Sequence, residues 1–354
     1  MQRINIRYIL QSALVIAAIY VYFTNVIYIN GYVKEALYLC YNTVIPSLFI
    51  FMVLTVFLSG LPVCRFLGVP FSPVFRLLKI KDTKIVSYCI LSILSGFATG
   101  GYFLNKIKEE NLCDNNALGI ISILVSNNSP AFIISAVGIN MLGHIQSGII
   151  LYFSVLISSF ITAFIFSFIF PYSCISNTKN INISDTTFIS ALNCAVISIV
   201  NICGIVIFSF SICKVLLLYS QNVYISSLFS VIFEVTTACK MIINNVGKNL
   251  YLICAALCFC PLSTYFQIKS FDTSNSINLK ILMLSKIIHI PLSMLILRIA
   301  INLFPQSFSV YANSDISVNM YWNSPQISCC FLITAICFVI FFDKKIGVFT
   351  KSDK

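Results

Sequence analysis

Long apolar runs separated by short polar connections occupy most of the 354 residues. A helix that crosses a bilayer needs about 20 mostly apolar residues. Eight runs come near that length: 8–28, 44–60, 114–140, 145–170, 187–213, 250–268, 277–303 and 327–342. They predict an all-α polytopic membrane protein with about eight transmembrane helices. Two further runs, 85–104 and 223–243, are apolar at both ends but carry small or polar residues in the middle, SGFATGG at 95–101 and FEVTTA at 233–238. Whether these two cross or turn back decides the topology.

Charge supplies the test. Hydrophobic residues make up 59% of the chain and charged ones 9%, against roughly 25% charged in soluble domains, which excludes a soluble globular protein. The 22 basic and 11 acidic residues give a formal charge of +11, yet no polar segment is long enough to fold alone as a nucleic-acid module. The excess instead marks cytoplasmic membrane edges. Arg3 and Arg7, then Arg65, Arg76, Lys79, Lys81 and Lys84, then Lys344, Lys345, Lys351 and Lys354 place both termini and the 61–84 connection inside. The 304–325 loop, with Asp315 and no Lys or Arg, is expected outside.

If 85–104 crossed, Lys106 and Lys108 would be external, so a re-entrant hairpin is expected there, opening to the cytoplasm. The same choice for 223–243, opening to the exterior, leaves Lys179, Lys269 and Lys280 inside and the turn around Gly143 outside. Only Lys34, Lys214 and Lys248 then violate the rule. The run at 8–28 exceeds the roughly 7–15 residues of a signal-peptide core and is kept as the first span. Residues 61–79, with Pro62, Pro70 and Pro73, are expected either in the headgroup plane or as a surface loop. The fifteen cysteines, mostly inside apolar runs and with no paired CxxC, are expected to pack as small hydrophobes.

Each half carries the same series: a broken hairpin, a span interrupted by proline and polar residues, and a plain span. The expected organisation is an N-terminal span and linker (1–43), a first repeat (44–170), a second repeat (187–303), and an external loop, last span and basic tail (304–354). Equal order with opposite membrane entry is an inverted-topology repeat, and interrupted segments at matching places point to a transporter's binding site. Non-helical backbone at membrane depth leaves N–H and C=O groups that protein, water or a ligand must satisfy. Breaks that open a new half-helix, as Asn127-Asn128-Ser129-Pro130 does, suit an anionic or acceptor-rich solute.

The candidate substrate-binding residues follow. Glu234 is acidic within an apolar stretch, where a charge costs about 2.5–3.5 kcal/mol on insertion scales; it is expected to bind substrate or a coupling ion, with tip capping or pairing to Lys240 as the structural alternative. Thr236 and Thr237 flank it. Gly96, Gly100 and Gly101 permit close approach at the first tip, with Thr99 between them, although small residues also serve helix packing. Asn127, Asn128 and Ser129 interrupt the first repeat's span, Ser263, Thr264 and Gln267 the second's. His289 reads as a satisfied interior histidine, and Lys286 and Arg298 as snorkelling side chains. No HExxH or GxSxG motif occurs and only His144 and His289 are present, so no enzyme, metal or cofactor is expected. The coupling ion, proton or sodium, is left open.

These motifs resemble the sporulation integral membrane proteins of the YlbJ type, which contain the nucleoside-recognition or "Gate" domain. Pro46-Ser47-Leu48-Phe49, the 96–102 glycine segment, residues 106–112 and SNNSPAFIISAVG at 126–138 match the family's first half. FEVTTA at 233–238 and FCPLSTYFQ at 259–267 match its second. Ala98, Tyr102, Ala238 and Tyr265 depart from the family pattern and mark a divergent member. The resemblance implies a role in endospore formation, moving dipicolinic acid across the outer forespore membrane. A nucleoside-type transporter, or a non-transporting assembly component acting with itself or other sporulation membrane proteins, are the alternatives.

Overall fold

The computed structural model describes residues 6–174, 187–219, 222–272 and 277–304. The expected last span, the 304–325 loop beyond its first residue, Lys179 and the basic tail lie outside the described residues. Among the described residues every element is helical, apart from one isolated antiparallel bridge between Cys113 and Cys174. Four helices are long and apolar enough to cross a membrane, Ile145–Ile169, Phe188–Leu218, Leu250–Phe271 and Leu279–Leu303, and a bent N-terminal pair makes up to five. The chain is an all-α integral membrane protein.

Helices α1 (Ile6–Thr24) and α2 (Val26–Leu39) replace the single straight span expected at 8–28. They meet at 96°. Thr24 Oγ1 donates to the Tyr20 and Val21 carbonyls and Asn25 Nδ2 to Val21 O, side-chain bonds that compete with the helical ladder and bend it. Helix α2 runs through a π-turn, Cys40–Val44, into α3 (Ile45–Gly60). Pro46 follows the turn and has no N–H for the ladder, so the wider π geometry absorbs the lost bond.

The 61–79 segment folds as two short helices, α4 (Cys64–Gly68) and α5 (Ser72–Leu77). Cys64 and Phe75 are buried while Val63, Phe66, Val69, Phe71, Val74 and Leu77 are exposed. Gly68 seats this segment on α6, where a Cβ would meet Thr83 O at 2.2 Å.

Two helical hairpins follow the expected positions. Helices α6 (Thr83–Ser95) and α7 (Phe97–Glu109) turn back at Gly96, and their far ends are joined by Lys84–Glu110 at 2.6 Å. The interrupted span of the first half is α8 (Asn115–Val125), an irregular segment, and a π-helical stretch, Ala131–Leu142, followed by α9 (Ile145–Ile169). Helix α10 (Phe188–Leu218) backs α2 and α3. The second hairpin is α11 (Val223–Phe233) and α12 (Val235–Val246), turning at Glu234; the second interrupted span is α13 (Leu250–Cys258) and α14 (Leu262–Phe271), and α15 (Leu279–Leu303) closes the described chain. The halves interleave: α7 packs on α14, α12 on Ala131–Leu142, α8 on α15 and α9 on α13.

Lys108 donates to Asn115, Lys106 to Ser59 and Asn278 to Asn116, and Lys84 pairs with Glu110, contacts that involve the connections expected inside. Lys214, one of the three exceptions, pairs with Glu35 at 3.3 Å. Lys286 does not snorkel: it is buried, with Nζ 3.5 Å from His289 Nδ1, and His289 Nε2 lies 3.2 Å from Val155 O. No ion pair to Lys286 occurs among the described residues. A buried cation without a counter-charge costs more than an apolar side chain of similar length. Lys286→Met should therefore raise the melting temperature in detergent; a fall would mean that the ammonium makes net stabilising bonds.

Candidate functional site

Four helices that begin at loops are capped by side chains, whereas α4, α5, α9 and α15 carry no side-chain cap. Asp82 accepts from Lys84 N, Asp114 from Ala117 N, Thr187 from Ser190 N, and Asn249 from Tyr251 N and Leu252 N. The helices that restart inside the molecule are mixed: Glu234 caps α12, whereas Gly96 and Pro261, which precede α7 and α14, offer no side-chain cap. Their first-turn N–H groups lack intrahelical partners by the geometry of a helix start.

These restarts converge on one cavity of about 530 Å³, open mouth included. Gly96, Phe97 and Ala98 line it from the start of α7, and Ser129 and Phe132 from the start of the π-helical stretch. Glu234, Val235 and Thr236 come from the start of α12, and Ser263 and Gln267 from α14. Thr43, Val44 and Leu48 of the π-turn and α3, with Ile202 and Val206 of α10, complete the wall. Each helix start carries roughly half a positive charge, and four of them line this space, that of α12 behind the Glu234 carboxylate.

Glu234 tempers that field and holds α12. Its backbone is extended (φ −156°, ψ 129°). Oε1 accepts from Thr236 N at 2.9 Å, and Oε2 from Thr237 N at 2.6 Å and Thr237 Oγ1 at 2.8 Å. The side chain is 2% exposed and lines the cavity. It therefore both caps a helix and presents a carboxylate to the cavity, while Lys240 is exposed.

At the first tip, Gly96 has φ +94°, a conformation that favours glycine, and a Cβ there would lie 3.0 Å from Ser129 Cβ. Ser129 Oγ accepts from Phe132 N at 3.2 Å. Asn128 Nδ2 donates to Leu257 O at 3.1 Å, so one interrupted span satisfies a carbonyl at the end of the other. Gln267 is 1% exposed and its Oε1 has no hydrogen-bond partner among the described residues, an orphan acceptor on the cavity wall.

Of the residues expected at the site, Gly96, Asn128, Ser129, Glu234, Thr236, Ser263 and Gln267 meet at this cavity. The others stand behind it. Thr99 Oγ1 donates to Gly96 O at 2.8 Å, Asn127 Nδ2 to Leu124 O at 3.0 Å, and Thr237 holds Glu234. Gly100 and Gly101 are packing positions: a Cβ would lie 2.3 Å from Val125 O in the first case and 2.8 Å from Phe271 Cδ2 in the second. No family model, curated protein or solved structure matches the chain. Sequence reasoning missed Thr43, Val44, Ile202 and Val206, which lie in apolar helices. The one local signal was Pro46, three residues after Thr43, at the start of an apolar run.

Proposed function

We propose that the chain is an integral membrane transporter in which eight spans and two re-entrant hairpins form an inverted-topology repeat, with both termini cytoplasmic. The cavity binds a small anionic solute. The observation that carries this reading is the pair of helix starts without side-chain caps, α7 and α14, that line one cavity. Backbone N–H groups there are ready donors for carboxylate oxygens, and interrupted segments at matching places of two halves are the usual sites of transporter binding. The YlbJ-type resemblance narrows the solute to dipicolinate, a small aromatic dianion, and the membrane to the outer forespore membrane of a sporulating cell.

Proteoliposomes test this. Protein-containing vesicles should take up labelled dipicolinate saturably and above protein-free vesicles; no excess uptake by folded protein would defeat the reading. A nucleoside-type solute has one observation in its favour, since Gln267 Oε1, unpaired among the described residues, and the Glu234 carboxylate are acceptors suited to hydroxyl and N–H donors. Uridine uptake in the same vesicles, without dipicolinate uptake, would select it.

A further inference from the structure

Cys113 and Cys174 are 61 positions apart, yet their Sγ atoms lie 2.8 Å from each other. The backbone holds them there. The two residues form an antiparallel bridge, Asp114 N donates to Ser173 O at 3.1 Å, and the Asp114 carboxylate accepts from Ser173 N and Oγ while its other oxygen caps α8 at Ala117 N. Cys113 is 6% exposed and Cys174 partly exposed, so a small oxidant reaches the pair from the Cys174 side. We propose that Cys113 and Cys174 are a reactive thiol pair that oxidises to a disulfide, stapling the start of α8 to the segment after α9.

The co-reactant is a small-molecule disulfide. One cysteine thiolate attacks it, forming a mixed disulfide and releasing one thiol; the second cysteine then displaces the other thiol. One S–S bond is formed in the protein and one is broken in the reagent, the two cysteines lose two electrons, and their two protons leave with the released thiols. Once closed, the staple makes α8 and α9 one body. Helix α9 then carries the segment that ends in the Asn127–Ser129 break, so an opening of the cavity moves that body as a unit against the hairpins, α3, α10 or α14, which share the wall.

The purified full chain, reduced, should give fifteen alkylated cysteines after denaturation, one for each in the sequence. After treatment with oxidised glutathione it should give two fewer, and proteolysis without reductant should yield one cross-linked peptide joining Cys113 to Cys174. In Cys113→Ser or Cys174→Ser, oxidant should produce no intramolecular cross-link, and a glutathione adduct should stay on the remaining cysteine. Fifteen adducts from oxidised wild type, or cross-links scattered over other cysteines, would overturn the proposal. Because no transport is measured, failure here and failure of the transport reading are distinct results.

Discussion

Glu234→Ala should lose both stability and solute uptake, whereas Glu234→Asp should keep the fold and lose most of the uptake. The alanine variant deletes an N-cap, a loss of about 0.5–2 kcal/mol. It thereby strands the Thr236 and Thr237 N–H groups, now bonded at 2.9 and 2.6 Å, in a buried place where each unmade bond costs about 1–3 kcal/mol. Two stranded N–H groups at that cost, the cap loss being the same bonds seen from the helix side, amount to about 2–6 kcal/mol and should appear as a lower melting temperature in detergent. Aspartate is among the preferred caps, so it can hold α12 while its shorter side chain withdraws the carboxylate from the cavity. A carboxylate does not attract a dianion, so the expected loss of uptake runs through the coupling proton or sodium ion, whose affinity falls tenfold for each loss of about 1.4 kcal/mol of binding. If the aspartate variant takes up dipicolinate like wild type, Glu234 is a helix cap and nothing more.

The features legible in the sequence were those that break an apolar pattern. Glu234, Gly96 and the Asn127–Ser129 cluster stand out because their neighbours are apolar, and the helices turn or stop within a residue or two of each. The wall formed by Ile202 and Val206 was not legible, because an apolar residue on a helix reads the same whether it faces lipid or a cavity. Gly100 and Gly101 looked like tip residues; their role is set by α8 and α14, whose approach no local pattern encodes. Pairings across long separations were equally hidden: Cys113 with Cys174, and Lys214 with Glu35 at 179 positions. That last contact explains one of the charges that the loop rule left on the wrong side, since a paired lysine is a weaker topogenic signal than a free one. The 96° bend at Asn25 escaped because a window of apolar residues reports length and not direction.

Gly100→Ala should be among the most damaging single-methyl additions in the protein. Its Cβ would sit 2.3 Å from Val125 O, a backbone atom at the end of α8, so relief requires α7 and α8 to separate. Overpacking of a buried contact costs about 1–3 kcal/mol, and the upper end is expected because neither partner is a side chain that can rotate away. Gly101→Ala meets Phe271 Cδ2 at 2.8 Å and Ile268 Cα at 3.1 Å; the ring can swing, so the loss should be smaller. Gly204→Ala, in α10 with nothing within 4 Å, is the control and should gain up to about 1 kcal/mol of helix propensity. Melting temperatures in detergent should therefore rank Gly204→Ala above wild type, then Gly101→Ala, then Gly100→Ala. A Gly100 variant that melts with the control would show that α7 and α8 are not in tight contact. Uptake separates packing from binding: neither Gly100 nor Gly101 lines the cavity, so whatever fraction of these variants folds should transport at the wild-type rate per folded molecule. A rate per folded molecule that falls in Gly101→Ala would instead return the 100–101 pair to the solute path.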